Sequence, residues 1–256
     1  MSSAARVSIR EFFDVLSPRL YLILVIPRIL LQVLFFYLVA SLAGGKQLGL
    51  YSLVGNAFAI SASSILVALN NLVTEERRRG TLEAIVMSPA PVVPVILGKC
   101  SMALLEGLFR SAVTLFIMGP IVGLSLHQLL LAVEAFPIAI IINISLMGLG
   151  FLIGSTAITN TRLNFLPNFT TYLLMILAGV NYPVSLLPQW ARVLANFLPM
   201  THGIAGFRAI LEEGRWAGAL QPFALEALVA VAYLMIGCLI FYRKVKSARE
   251  GVSDFV

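Results

Sequence analysis

The sequence predicts an all-α polytopic membrane protein with six transmembrane helices. The chain of 256 residues is 59% hydrophobic and only 12% charged, whereas soluble domains are nearer one quarter charged. Its apolar residues form long runs, and a helix needs about 20 such residues to cross a bilayer. Basic residues concentrate in some of the segments between these runs, and this bias sets the orientation of membrane proteins.

Six apolar runs are predicted to cross the membrane. They cover roughly residues 20–42, 50–73, 100–124, 129–157, 164–182 and 220–242. The fourth run is longer than a bilayer requires, so it is predicted to be shorter or kinked at Pro137. With the N-terminus inside, twelve lysines and arginines fall on inner segments and four on outer segments. This asymmetry predicts that both termini are cytosolic.

Two further segments are predicted to lie along the membrane surface. Residues 1–19 interleave charged and apolar side chains, which favours an interfacial helix on the inner surface, with an unstructured basic leader as the alternative. Residues 183–219 hold both tryptophans and are punctuated by Pro183, Pro188 and Pro199. Their apolar pieces are too short to span, so they are predicted to form one or two short re-entrant or interfacial helices at the outer mouth. An ordinary amphipathic outer loop is the alternative.

The densest run of charge lies between the second and third spans, in residues 74–99. Gly80 can end the preceding helix, and Thr81 can cap a new one by accepting backbone N–H bonds. The new helix, from about Leu82 to Met87, is short because prolines follow it. A short cytosolic helix parallel to the membrane is suited to being pushed or pulled by another protein. The alternative is a simple turn that anchors the chain by its positive charge.

The residue types needed for catalysis or metal binding do not come together in this sequence. Gly44-Gly45-Lys46 lacks the first glycine and the Ser/Thr of a phosphate-binding loop, so we expect no ATP hydrolysis by this chain. His127 and His202 are far apart and have no acidic or cysteine ligands nearby, so no metal site is expected. The net charge of +6 is explained by basic cytosolic loops and does not indicate a nucleic-acid surface.

Ionisable residues inside predicted spans are candidates for a functional role, because a charge in lipid is costly. Glu106 and Arg110 lie four residues apart on the third span and are predicted to face each other along one side of the helix. This pair either stabilises helix packing or lines a translocation path. Arg28 lies about two turns into the first span, a depth from which an arginine can snorkel to the interface.

Two parts of the sequence resemble the permease subunits of type-2 ATP-binding-cassette (ABC) exporters. In the charged loop the similarity covers the run from Glu75 to Glu83, then Ser88-Pro89 and Lys99. After the fifth span it covers three short motifs and one arginine: Asn181-Tyr182-Pro183, Leu187-Pro188, Leu198-Pro199-Met200-Thr201-His202 and Arg208.

The resemblance implies a single transmembrane domain over residues 1–256 that works as a homodimer with two copies of a separate ABC ATPase subunit. ATP and Mg would be bound by that partner, and this chain would bind no cofactor. A coupling helix would sit in a cleft of the ATPase. The residues assigned to ATPase coupling are Glu75, Glu76, Arg77, Arg78, Arg79, Gly80, Thr81, Leu82, Glu83, Ile85 and Val86. The residues assigned to an outer gate are Tyr182, Pro183, Pro188 and Pro199.

The resulting hypothesis is a permease of the cell (cytoplasmic or inner) membrane that exports an amphipathic substrate. A drug, a lipid and a lipid-linked glycan are all compatible, and family analogy favours a drug. The alternatives are a stand-alone secondary transporter and a membrane-embedded enzyme. A secondary transporter should show inverted repeats and a relay of acids or histidines at mid-depth, for which only Glu106 is available. An enzyme should show converging His, Asp or Ser residues, and none cluster in the sequence.

Overall fold

The computed structural model describes residues 18–78, 92–159 and 163–253, and the regular structure in these ranges is helical, without strands. Two π-helical turns (Tyr21–Val25 and Thr114–Met118) and two 3₁₀ turns (Val184–Leu186 and Trp216–Gly218) accompany ten α-helices. These are α1 (Pro18–Leu20), α2 (Ile26–Arg78), α3 (Val92–Val113), α4 (Gly119–Val122), α5 (Leu126–Glu134), α6 (Phe136–Thr159), α7 (Leu166–Leu177), α8 (Gln189–Ala195), α9 (Thr201–Glu213) and α10 (Leu220–Ser253).

Helix α2 is folded back on itself at Gly44 and Gly45, whose backbone is not helical. Gly45 has φ of 75°, a left-handed conformation that glycine adopts without a steric penalty. Across the bend, Ser52 Oγ donates to the carbonyl of Phe36 at 3.5 Å, and a Cβ on Gly49 would lie 2.1 Å from Ser41 Oγ. Residue numbers fall on one arm as they rise on the other. The N-terminal arm (26–43) and the C-terminal arm (46–78) are therefore antiparallel.

Four helical stretches of the described residues are long and apolar enough to cross a membrane: Tyr21–Leu72, Cys100–Val122, Phe136–Ile158 and Leu220–Ser247. The first of them has 52 residues and includes the bend at Gly45. It therefore supplies two antiparallel arms, which coincide with the first and second predicted runs.

The fourth and fifth predicted runs differ from the helices that the structure contains. The run 129–157 is divided at Ala135 into α5 and α6. Pro137 lies in the first turn of α6, where its missing N–H has no intrahelical role. The run 164–182 contains only the 12 residues of α7. The chain turns after Leu177, and Gly179 is left-handed with φ of 72°.

Helices α6 and α10 run parallel and touch through glycine. A Cβ on Gly148 would lie 2.6 Å from the backbone nitrogen of Leu234. Further along, the rings of Phe151 and Phe241 meet edge to face with centroids 5.9 Å apart. Because small residues let two backbones approach closely in a bilayer, this contact holds the last span against the centre of the bundle.

Helix α7 runs antiparallel to the C-terminal arm of α2. Asn164, just before α7, accepts a hydrogen bond from Asn70 at 3.3 Å. Beyond the other end of α7, the carbonyl of Val180 lies against Gly55, where a Cβ would come within 2.0 Å. The chain order on the two helices is therefore opposite.

The segment 183–219, which is predicted to lie on the outer side, contains α8 and α9, and neither is long enough to span a bilayer. Helix α9 enters the core, where Phe207 is 1% exposed and packs edge to face on Phe58 with centroids 5.0 Å apart. Helix α8 buries Ala191 and Ala195 and leaves Trp190 exposed.

Two predicted features cannot be placed in the fold. The interfacial helix over residues 1–19 lies outside the described residues except for its last two positions, and the coupling helix over 82–87 lies outside them entirely.

We expect Gly148→Ala to destabilise the fold by about 1–3 kcal/mol, because the new methyl group meets backbone that has no room to move. Gly206→Ala is the matched control, since its Cβ would lie 3.2 Å from the nearest atom, on Pro222, and should cost less. Unfolding of both variants in detergent measures the difference. Equal stabilities of Gly148→Ala and Gly206→Ala would show that α6 and α10 leave room for a methyl group at Gly148.

Candidate functional site

A polar cavity of about 720 Å³ lies between the two arms of α2, helix α3 and the first turn of α7. Apolar side chains form part of its wall, among them Leu24, Val25 and Val67. The remaining wall is polar and carries Arg28, Gln32, Ser63, Ser64, Asn71, Glu106, Arg110 and Asn168. The cavity can therefore accept a molecule that has both polar and apolar parts.

The predicted pair Glu106 and Arg110 lies on the wall of this cavity. Arg110 Nη2 donates to Glu106 Oε1. The side chain of Arg110 is 21% exposed and that of Glu106 is 15% exposed. Arg110 Nε also donates to the hydroxyl of Tyr21 at 3.2 Å. Sequence reasoning did not select Tyr21, whose link to Arg110 depends on how the first span packs against the third.

Arg208 on α9 holds the chain that follows α7. Its Nη1 donates to the carbonyl of Gly179 at 2.8 Å, and its Nη2 donates to the carbonyls of Val180 at 2.9 Å and Tyr51 at 2.6 Å. Because α7 ends at Leu177, the carbonyls beyond it have no partner within a helix. The guanidinium supplies those partners and joins α7, α9 and α2.

The charge of Arg208 is kept in a largely buried position, since the residue is 7% exposed. Its guanidinium carbon lies 3.2 Å from the ring centroid of Tyr51, a contact in which the ring face attracts the cation. Burial lowers the pKa of Arg208 to about 10, so the side chain remains protonated at neutral pH. The carbonyls and the ring therefore face a permanent cation.

Asn181 fixes the same segment from the other side. Its Oδ1 accepts from Ser52 Oγ at 2.9 Å and from Asn56 Nδ2 at 2.7 Å, both on the C-terminal arm of α2. Together with Arg208, these contacts define a latch, which consists of Tyr51, Ser52, Asn56, residues 179–181 and Arg208.

Glu226 holds the beginning of α9 and was missed by sequence reasoning. It is fully buried on α10 and accepts from the backbone N–H groups of Met200 at 2.8 Å and Gly203 at 2.9 Å, and from Ser145 Oγ at 2.5 Å. A carboxylate at a helix N-terminus satisfies free N–H groups and opposes the positive end of the helix dipole. Its sequence signal was an acid within an otherwise apolar run.

The four residues predicted for an outer gate lie on the segment beside the latch. The hydroxyl of Tyr182 donates to the carbonyl of Ile176 at 2.7 Å. Pro183 precedes the 3₁₀ turn Val184–Leu186, and Pro188 precedes α8. Pro199 is buried just before α9.

Comparison with known proteins decides the family. The chain matches the family model of the ABC-2 type transporter over residues 7–211. The protein belongs to the ABC-2 type transporter family. It is thus the permease subunit of a type-2 ABC transporter, and the resemblance seen in the sequence is confirmed.

Individual relatives of this ABC-2 permease are distant. The chain is 28% identical over 148 residues to the Probable multidrug ABC transporter permease YbhR of Escherichia coli (strain K12), covering 56% of this chain and 38% of that protein. It is 24% identical over 206 residues to the Inner membrane transport permease YadH of the same strain, covering 74% and 76%. Uncharacterized protein YhgE of Bacillus subtilis (strain 168) is 34% identical over 77 residues, but the match covers 10% of its length. The chain thus spans well under half of YhgE and YbhR.

The residues that the resemblance assigns to ATPase coupling lie at the limit of what the structure describes. The last four residues of α2 are Glu75, Glu76, Arg77 and Arg78. The other assigned residues, from Arg79 to Val86, lie outside the described residues. Within the described part of the permease, no group of three or more His, Cys, Asp and Glu residues could hold a metal ion.

Replacing Arg208 with methionine should destabilise the permease by about 2–4 kcal/mol, because three buried carbonyls lose a charged donor. Arg215→Met removes an exposed arginine from the same outer segment and should change stability by less than about 0.5 kcal/mol. Denaturant titration of the detergent-purified variants provides the comparison. If Arg208→Met loses no more stability than Arg215→Met, the Arg208 hydrogen bonds do not stabilise the latch.

Glu106 and Arg110 should behave as a coupled pair. Either Glu106→Gln or Arg110→Gln leaves one charge unpaired in a low-dielectric site, at a cost of about 2–4 kcal/mol, whereas the double substitution should cost less than the sum. Folded yield and unfolding free energy of the three variants complete the cycle. Simple additivity would mean that the two side chains act independently.

Proposed function

We propose that this permease exports an amphipathic substrate from the cytoplasm, driven by a separate ABC ATPase that binds ATP and Mg. The observation that supports export most directly lies on one helix. On the C-terminal arm of α2, the residues from Asn71 to Ile60 line the polar cavity, and those from Asn56 to Tyr51 form the latch. A chamber with polar groups, followed along the same helix by a hydrogen-bonded latch, is an arrangement expected of a transporter that faces inward.

The helix directions support a six-crossing layout with both termini on the same side of the membrane, and the distribution of basic residues favours the cytosol for that side. The two arms of α2 are antiparallel, α7 opposes the C-terminal arm, and α6 and α10 are parallel. In a chain that crosses six times, successive crossings alternate in direction. These helix directions fit that alternation if α7 and the residues after it form a short fifth crossing. Lys46 Nζ and Gly123 also lie together, since a Cβ on Gly123 would come within 2.7 Å of it. In this layout the bend of α2 and the turn after α4 share the outer side.

The C-terminal arm of α2 provides a route from the ATPase to the latch. It covers roughly 33 residues, which is about 50 Å of helix. Its last residues lead into the predicted coupling loop, and its first turns carry Tyr51, Ser52 and Asn56. A displacement applied at the loop would therefore move three of the latch residues through a single helix. ATP binding would pull the coupling helices together and open the latch outward.

The assembly follows the family pattern in this proposal. Residues 1–256 form one transmembrane domain, two copies form a homodimer, and two ATPase subunits bind the cytosolic side. YbhR is named as a multidrug permease, which supports a drug as one possible cargo beside a lipid or a lipid-linked glycan. The cavity between helices, with both polar and apolar walls, suits the amphipathic character that these three classes share.

The coupling helix provides the test of this function. Its apolar side, which includes Leu82, Ile85 and Val86, should be buried against the ATPase, and such central contacts often contribute about 2 kcal/mol or more. Ile85→Asp should therefore leave the permease folded but reduce ATPase binding by roughly 30-fold or more and abolish ATPase activity coupled to transport. Copurification in detergent and ATPase assays in lipid measure both effects.

Two comparisons make the result specific. Ile85→Val keeps an apolar side chain and should retain the ATPase. Arg78→Ala should weaken assembly less than Ile85→Asp and make it more salt-sensitive, because rim charges mainly govern association and specificity. A folded Ile85→Asp permease that retains a fully coupled ATPase would exclude the coupling role.

A further inference from the structure

The polar cavity carries one positive charge that the protein does not neutralise. Its ionisable lining residues are Arg28, Glu106 and Arg110. Glu106 and Arg110 cancel each other in their ion pair. Arg28 has no hydrogen-bond or ion-pair partner among the described residues. The Arg28 side chain is exposed, so its guanidinium is available to a molecule in the cavity, and an anion there would offset a charge that is costly at membrane depth.

Arg28 lies further along the N-terminal arm of α2 than the neighbouring ion pair. It follows Tyr21, the partner of Arg110, by seven residues, which is about 10 Å along a helix. Gln32 follows Arg28 by one turn on the same helical side and lines the same cavity. A charged group held by Arg28 would thus have an amide within reach.

Ser64 gives an independent sign that the cavity is built for a ligand. The residue is 7% exposed, and its buried Oγ has no hydrogen-bond partner. A buried hydroxyl without a partner costs free energy, and most buried polar groups in proteins are paired. Since Ser64 lines the cavity, a polar occupant can provide the missing hydrogen bond.

We propose that the cavity binds the anionic head group of an amphipathic substrate, a phosphate or a carboxylate, with Arg28 as its counter-charge and with Gln32 and Ser64 as hydrogen-bonding partners. Leu24, Val25 and Val67 would contact the apolar part of the same molecule. This inference rests on the proposed export function, and it narrows the substrate to anionic amphiphiles. Cationic amphiphiles are disfavoured because they would face Arg28.

The test uses a cysteine reporter on the purified permease without its ATPase. Ser63→Cys, in a background of Cys100→Ala and Cys238→Ala, places one thiol on the cavity wall. Three probes share a twelve-carbon chain: dodecyl phosphate, dodecyl maltoside and dodecyltrimethylammonium. Dodecyl phosphate should slow maleimide labelling at the lowest concentration. Inorganic phosphate should protect only weakly, because it lacks the apolar chain.

Substitutions at Arg28 identify the counter-charge. Arg28→Gln should raise the concentration of dodecyl phosphate needed for protection by about tenfold, whereas Arg28→Lys should raise it less, because the charge remains. Arg28→Glu should reverse the preference toward dodecyltrimethylammonium. Arg19→Gln is the matched control, since it removes an exposed cation nine residues before Arg28 and outside the cavity lining.

Two results would overturn the anion site: equal protection by all three amphiphiles, or an effect of Arg28→Gln no larger than that of Arg19→Gln. Protection by inorganic phosphate at the same concentration as dodecyl phosphate would overturn the proposal that the site binds the apolar part of an amphiphile. Size-exclusion profiles confirm that each variant is folded. Because no ATPase is present in this assay, its failure is separate from a failure of ATPase coupling.

Discussion

The region around the latch depends on how the backbone carbonyls after α7 find hydrogen-bond partners. In a bilayer, a carbonyl outside a helix has no water to bond, so irregular backbone persists only where protein groups or a wet cavity provide partners. Helix α7 stops at Leu177, and the carbonyls of Gly179 and Val180 then receive hydrogen bonds from Arg208. The short helix, the turn after it and the position of α9 all depend on that guanidinium.

A buried cation of this kind requires a rigid support, and Glu226 contributes to it. The carboxylate bonds two N–H groups at the beginning of α9, while Arg208 acts from the middle of the same helix. Gly203 fits only because it has no side chain, since a Cβ there would lie 2.2 Å from Ile142. Helix α9 is thus fixed to α6 and α10 on one side and to the latch on the other.

The cavity and the latch share the C-terminal arm of α2. At the latch, Asn56 Nδ2 pairs with Asn181 Oδ1. Polar groups that remain available, such as those of Arg28 and Ser64, line the cavity on the other side of the latch. The hydrogen bonds of Arg208 and Asn181 therefore hold the latch together, whereas the unpaired hydroxyl of Ser64 can bond a ligand in the cavity.

The sequence by itself determined the helical membrane fold, the positions of the long apolar helices and the family. Long apolar runs leave the backbone no alternative to helix in lipid, and the spacing of Glu106 and Arg110 places them on one helical side. The tertiary structure decided the division of the fourth run at Ala135, the short α7, and the partners of Tyr21, Arg208 and Glu226. These features depend on contacts between residues far apart in the chain, as between Tyr51 and Arg208, and neither hydropathy nor local periodicity contains that information.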